Sequence, residues 1–437
     1  MEVYMLVRIV ILVTGYLWGS LFVSSWNPVE TKDNPNKKQL ITFIVGSLIC
    51  LILSGVSCYI SYETQVGFSF IPYSVAGTSF GILYPLFGRT RKRGKVMRYL
   101  IPALLIIVNL YLTLVNGVLN AALIPEFMRK LDAFEELTVK NYSEQIQTDD
   151  IKENAKEAKD ETELWYKSSS HVKYAAKNEE GYKLVATFFP SNQNATFDDL
   201  GQMKLPSGEE LTSKWAVILH GYTGWKESMY EFARYYVMQG YNVLVPDLRC
   251  QGESEGDFIG MGATDAIDVN EVWIDYIIKK DPNAQIVLHG QSMGATTALI
   301  MSGSGTLPAN VKAVISDAAY TDAYSMFADK AYSWFHLPPF PLVNTAEAML
   351  FLRGGYQLSE ASAIKAVAYS KIPTLFIHGK EDAMISVSMC EELYDRAGCE
   401  KEILIIEGAG HAQNQDKDPE LFYGTITAFL NKYITEE

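Results

Sequence analysis

Five cysteines in 437 residues are too few and too scattered to brace this chain. Cys50 and Cys58 fall inside one apolar run, while Cys250, Cys390 and Cys399 are spread over the second half. Cys390 and Cys399 would bracket most of a helix, too far apart for a disulfide unless Gly398 folds the chain back sharply. A disulfide-stapled fold is excluded. Also missing are a metal-ligand cluster, a Walker loop and a dinucleotide fingerprint, so no cofactor is implied. Basic residues are scarce after position 100. The first 100 residues hold 10 Lys and Arg against 4 Asp and Glu, and the remainder 27 against 47, a balance of +6 followed by −20 within a total of −14. So acidic a surface disfavours nucleic acid and anionic headgroups.

Charge is nearly absent from residues 9–26, 40–62, 66–88 and 99–124. Each run is near or above the roughly 18 residues that cross a bilayer as a helix. A cleaved leader accounts only for the first, and a buried soluble helix does not recur four times at this length. The expectation for residues 1–125 is therefore an N-terminal multi-pass transmembrane region anchored in a lipid bilayer, with three crossings instead of four if Pro72 and Pro85 break the third run. The loop Arg89 to Arg98 carries six basic residues and no acid, which the positive-inside bias assigns to the cytoplasm, as it does the loop with Lys32, Lys37 and Lys38. Everything after the fourth run is then expected outside the cytoplasm, at the cell membrane. Asn109, Thr113, Asn116 and Asn120 share one helical face, and Gly15-x-x-x-Gly19 and Gly77-x-x-x-Gly81 also favour close helix packing, in a bundle or a homo-dimer. Ionisable groups inside the runs, the mark of a transport pathway, are essentially absent beyond Arg8 at an edge. The region reads as an anchor.

Residues 126–169 are rich in Glu, Lys, Asp and Gln with sparse apolar positions, which fits a charged helical stalk or a disordered linker. From 170 to 437 the pattern changes. Strand-like runs near 182–189, 215–220, 242–246, 285–289, 311–316, 373–378 and 402–406 alternate with helical stretches near 228–239, 264–280, 293–302, 387–397 and 418–433. That rhythm predicts an α/β fold with a mainly parallel, doubly wound sheet. It is interrupted at 320–371, where Tyr324, Phe327, Tyr332, Trp334, Phe335 and Phe340 with Pro338, Pro339 and Pro341 suit a cap over a site. These aromatics favour an apolar or acyl-bearing ligand, or simply pack the cap onto the core.

Within this frame Gly290-Gln291-Ser292-Met293-Gly294 lies between a β-type run and a small-residue helix. A Gly-x-Ser-x-Gly turn there is a nucleophile elbow: it exposes the serine in a strained conformation and aims N–H groups of the new helix at the same point. Ser292 is the candidate nucleophile. A serine hydroxyl needs a base, and in this architecture the order along the chain is serine, acid, histidine. His411, on the Gly-rich loop after Ile403–Ile406, is the candidate base. The strand Thr374–Ile377 runs through His378-Gly379-Lys380 into Glu381 and Asp382, of which Asp382 is the better acid. The strand Val217–Leu219 ends in His220-Gly221-Tyr222, where the Tyr222 and Met293 N–H groups are placed to stabilise an oxyanion. His220, at a strand end before a glycine, reads as scaffolding.

Five motifs in this order, His220-Gly221, Asp247-Leu248-Arg249 with Gly252 to Gly256, Gly290 to Gly294, His378 to Asp382 and Gly408 to His411, make the chain from about 170 onward resemble the α/β-hydrolase superfamily. The similarity is to its serine-aminopeptidase-like and Bem46-like branch, which also contains monoacylglycerol lipases. Leu352-Arg353-Gly354-Gly355-Tyr356 and the N-terminal anchor further resemble a group of Gram-positive membrane-anchored hydrolases. This implies a Ser292–Asp382–His411 triad, an oxyanion hole at Tyr222 and Met293, and hydrolysis of an ester, thioester or amide in a small-molecule acyl or peptide substrate. An esterase or lipase-like activity is expected; a serine peptidase, or an interaction or sensor protein on the same fold, are the alternatives. Two departures stand out: Cys250-Gln251 replaces the family's Gly-His, and Ile385-Ser386 its Val-Pro.

Overall fold

A computed structural model of the chain describes residues 107–108, 111–112, 114–125 and 148–435. The chain divides into two compact units, Met1–Ala121 and Ala122–Glu437. In the first, the described residues are helical. The first three apolar runs of the sequence lie outside the described residues, as does much of the fourth. Among the described residues no helix is long and apolar enough to cross a membrane.

The second unit is built on an eight-stranded sheet in the order β1-β2-β6-β5-β7-β8-β9-β10. Strands β1 (Val172–Lys177) and β2 (Lys183–Phe189) form an antiparallel hairpin, and β2 runs antiparallel to β6 (Asn242–Pro246). A two-stranded hairpin, β3 (Thr196–Phe197) with β4 (Met203–Lys204), stands apart. From β6 onward, β5 (Lys214–Leu219), β7 (Gln285–Gln291), β8 (Val311–Asp317), β9 (Thr374–Gly379) and β10 (Lys401–Ile406) are all parallel. The central strands are buried along nearly their whole length because helices cover both faces, so no face alternates with water. This is the mainly parallel doubly wound sheet that the sequence predicts.

Helix α1 (Asp149–Ser168) precedes β1. It covers the latter part of the segment read as stalk or linker, and it packs onto the body of the second unit. Trp165 lies 5.0 Å from Phe189, Tyr166 stacks at 5.0 Å on Tyr230, and the Asn154 amide donates to the carbonyl of Asp416 at 2.8 Å. On the same core face, α2 (Tyr230–Met238) contributes Phe232, Ala233 and Tyr236. Further along, α3 (Ala263–Asp268) continues through a π-helical turn, Val269–Ile274, into α4 (Asp275–Lys280). Helix α5 (Met293–Gly303) follows β7 and is buried along nearly its whole length, which its run of Gly, Ala and Thr permits.

The cap is helical. After β8 the chain forms α6 (Ala323–Phe335), α7 (Pro339–Gly354) and the short α8 (Ala363–Ala366) before returning to β9. Asp322 caps α6 by accepting from the Ser325 N–H at 2.7 Å, and Pro339 opens α7, where a missing N–H costs nothing. Beyond β9 come α9 (Val387–Arg396), α10 (Asn414–Lys417) and α11 (Pro419–Leu430). Phe422, Ile426 and Phe429 of α11 close the core face shared with α2.

Candidate active site

At the C-terminal end of β7 the chain turns sharply into α5. Ser292 occupies the turn with φ 55° and ψ −116°, a conformation that costs a non-glycine residue on the order of 1–3 kcal/mol. Its N–H donates to the Asp317 carbonyl at 2.7 Å, which holds the strained residue to β8. Both flanking glycines are required by close backbone approach. A Cβ on Gly290 would meet the Gly294 carbonyl oxygen at 2.1 Å, and one on Gly294 the Leu219 carbonyl oxygen at the same distance.

The loop after β10 brings His411 to this turn. His411 Nε2 lies 3.0 Å from Ser292 Oγ, and Nδ1 lies 2.7 Å from Asp382 Oδ2. A carboxylate only accepts, so Nδ1 carries the proton and Nε2 is left to accept from the serine hydroxyl. Ser292, Asp382 and His411 are thus brought together as the sequence predicts, across separations of 119 and 29 residues.

Asp382 is held from every side. Its Oδ1 accepts from the Met384 and Ile385 N–H groups at 2.8 and 2.7 Å. Burial alone would raise its pKa, but the imidazoles of His411 and His378 hold it well below the usual carboxylate range. Glu381 points elsewhere. Its Oε2 accepts from the Gly408 N–H at 2.6 Å, and its own N–H donates to the Ala409 carbonyl at 3.0 Å. One carboxylate meets the imidazole, and the other ties down the loop that carries it.

Met293 follows Ser292 directly, and Tyr222 lies in the loop after β5. Met293 opens α5, where the first-turn N–H groups have no intrahelical acceptor. Tyr222 follows Gly221, whose backbone runs beside Ser292 closely enough that a Cβ would stand 3.3 Å from the serine Cβ. His220 is scaffold, as its sequence position suggests. Its Nδ1–H donates to the Gly221 carbonyl at 2.8 Å, Nε2 accepts from the Leu248 N–H at 2.9 Å, and burial lowers its pKa. Just beyond, buried Lys226 pairs with buried Asp247 at 2.7 Å, and Asp247 also accepts from the Lys226 and Glu253 N–H groups. That pair fixes the Tyr222 loop to the end of β6.

The sequence reading missed Asp317. This fully buried residue closes β8 and accepts from Gln291 Nε2 at 3.0 Å and from Asn414 Nδ2 at 2.5 Å, so it links the serine turn to the helix just after His411. Burial raises its pKa against those two donors. Only an acid at the end of an otherwise apolar strand hinted at it.

The cap is tied to the body of the unit by polar contacts. Tyr320 donates to the Met261 carbonyl at 2.7 Å, Tyr356 donates to the Ile259 carbonyl, and Lys330 Nζ lies 3.5 Å from the Ala383 carbonyl beside the acid. Its aromatic residues are divided: Tyr332, Phe335 and Phe340 are exposed, while Tyr324, Phe327 and Trp334 are half-buried. The aromatic content of the cap therefore does not go wholly into either a ligand wall or the core.

The alpha/beta hydrolase fold family matches residues 215–351, a stretch that includes Ser292 and stops before Asp382. Protein YqkD of Bacillus subtilis (strain 168) is 31% identical over 215 residues, 49% of this chain and 70% of that protein. The chain belongs to the alpha/beta hydrolase fold family. It is accordingly a hydrolase. Protein YfhR of Escherichia coli (strain K12) is 25% identical over 247 residues, 56% of this chain and 74% of its own length. Among solved structures the chain is similar to esterase Pf2001 of Pyrococcus furiosus, with a TM-score of 0.47, 19% identity, and coverage of 61% of this chain and 93% of that one. Cys250 adopts φ 63°, a backbone region that favours glycine over a residue with a Cβ.

Proposed function

We propose that this hydrolase is a membrane-anchored serine esterase acting through Ser292, His411 and Asp382, with its catalytic unit outside the cytoplasm. The observation that carries the reading is the unbroken contact chain of 3.0 and 2.7 Å from hydroxyl to imidazole to carboxylate. In the reaction His411 Nε2 takes the hydroxyl proton as Ser292 Oγ attacks the acyl carbonyl, and Asp382 stabilises the imidazolium. The oxyanion is met by the Tyr222 and Met293 N–H groups. His411 then protonates the leaving alkoxide, and a water activated by the same nitrogen cleaves the acyl-enzyme. Two observations outside the site support the anchor: the four apolar runs of the sequence and the six-basic loop between the third and fourth.

The test is a panel of acyl esters of graded chain length and aminoacyl amides offered to the full chain in detergent, with and without Ser292→Ala. Ester turnover that vanishes with Ser292 is expected. Amide turnover without ester turnover would make the protein a peptidase, and turnover independent of Ser292 would remove the triad reading.

A further inference from the structure

A second imidazole approaches the acid from behind. His378, the next-to-last residue of β9, is fully buried, and its Nε2–H donates to the Ile385 carbonyl at 2.8 Å while lying 3.2 Å from Asp382 Oδ2. The turn 382–385 is therefore closed on itself. Its N–H groups hold one carboxylate oxygen and its last carbonyl is held by His378, while the other carboxylate oxygen sits between two imidazoles.

Nothing in the serine–histidine–acid relay requires His378, and a leucine would fill the same space in an apolar strand end. We propose that His378 is a positioning residue of this site, fixing the rotation of the Asp382 carboxylate and tempering its hold on His411. This rests on the assignment of Asp382 and His411 made above. The titratable and charged groups facing His378 come from four elements: Asp382 from its own turn, Asp317 from β8, His411 from the loop after β10, and Cys390 from α9. Lys330 of the cap pairs with Asp329 at 2.9 Å and lies 3.5 Å from the Ala383 carbonyl. Burial disfavours the His378 cation, but the contacts with Asp382 and Cys390 together outweigh it and push the group up to about 10. A positive ring behind the acid withdraws part of the field that would otherwise hold a proton on His411. Catalysis needs that proton to leave, because only the neutral imidazole accepts from Ser292.

The experiment is the pH dependence of kcat/KM for an acyl ester, measured on the full chain with His378→Gln and His378→Leu. Glutamine retains an N–H donor without a charge. It is expected to keep most of the rate while moving the acidic limb of the profile to higher pH by about one unit, since Asp382 then holds the His411 proton more tightly. Leucine, which removes donor and charge together, is expected to lower kcat/KM at neutral pH at least about tenfold. An acidic limb that stays at its original pH in His378→Gln, or full activity in His378→Leu, overturns the proposal. Should neither variant fold, the unsubstituted chain still decides it by proton NMR: two far-downfield imidazole N–H signals, one lost in His411→Asn, support His378 on the acid, and a single signal refutes it. Turnover that survives Ser292→Ala removes the triad reading itself, and this inference with it.

Discussion

The N–H of Ser292 and the carbonyl of Asp317 meet at 2.7 Å, so the most strained residue of the site is tied by its backbone to the neighbouring strand. The same Asp317 accepts from Gln291 and Asn414 through its side chain. One residue thus fastens the nucleophile turn on one side and the histidine-bearing segment on the other. Asp317→Ala takes the acceptor from one buried and one half-buried amide donor, and a loss of about 2–4 kcal/mol of stability is expected from denaturant unfolding. A midpoint unchanged from the parent chain would show that water replaces the carboxylate.

The two adjacent acids should separate cleanly. Asp382→Asn is expected to lower kcat by about 10⁴, because an amide favours the wrong imidazole tautomer, whereas Glu381→Gln should change it less than about tenfold. Glu381 serves the Gly408 backbone, which a glutamine oxygen can still accept from. The reverse ranking in steady-state kinetics would reassign the acid.

Gly290→Ala tests the elbow through packing alone. The new methyl group would stand 2.1 Å from a backbone oxygen that cannot swing away, since it belongs to the first turn of α5. A loss of about 3 kcal/mol or more is expected, visible as a collapse in soluble yield or thermal midpoint.

Asp265 supplies a pH signature beneath the cap. Fully buried, with only one oxygen bonded, to the Gly262 N–H at 2.8 Å, it is raised by burial, and further by Asp268, to about 6. An acid whose folded value lies above its unfolded value of about 3.9 binds protons more tightly when folded. Its contribution to stability therefore grows as the pH falls from about 6 to about 4, and above that window the buried charge costs on the order of 3 kcal/mol. Asp265→Asn should raise the thermal midpoint at pH 7.5, and its advantage should vanish near pH 4. An equal advantage at both pH values would point to packing instead of charge.

Sidedness is open to direct measurement. External protease added to intact cells is expected to release the catalytic unit by cutting between residues 126 and 147, given a cytoplasmic Arg89 to Arg98 loop. Cleavage only after lysis would invert the topology.

The strands of the main sheet after β1 were legible because each is a short apolar run between turn residues, and all seven expected runs coincide with observed strands to within a few residues. Strand β7 extends two residues past its expected end, since Gly290 and Gln291 still pair with Ser316 and Asp317. Strand β1 was not legible. It is a six-residue edge strand that buries only one face partially and carries two lysines, so its alternation barely departs from that of a polar loop. The contacts among Ser292, His411 and Asp382 were readable because the elbow fixes one member and chain order the other two. The Asp317 links were not, because Gln291 and Asn414 lie 26 and 97 residues away and neither amide belongs to a recognisable pattern.

Helix α1 changes where this enzyme can be cut. A fragment begun at residue 170 would keep every motif of the catalytic unit and lose the helix whose Asn154 holds Asp416, in the turn that starts three residues after His411. It would also strip Trp165 and Tyr166 from Phe189 and Tyr230. A water-soluble version for screening substrates should therefore start before Asp149, and a shorter one would blame the chemistry for what is a missing brace.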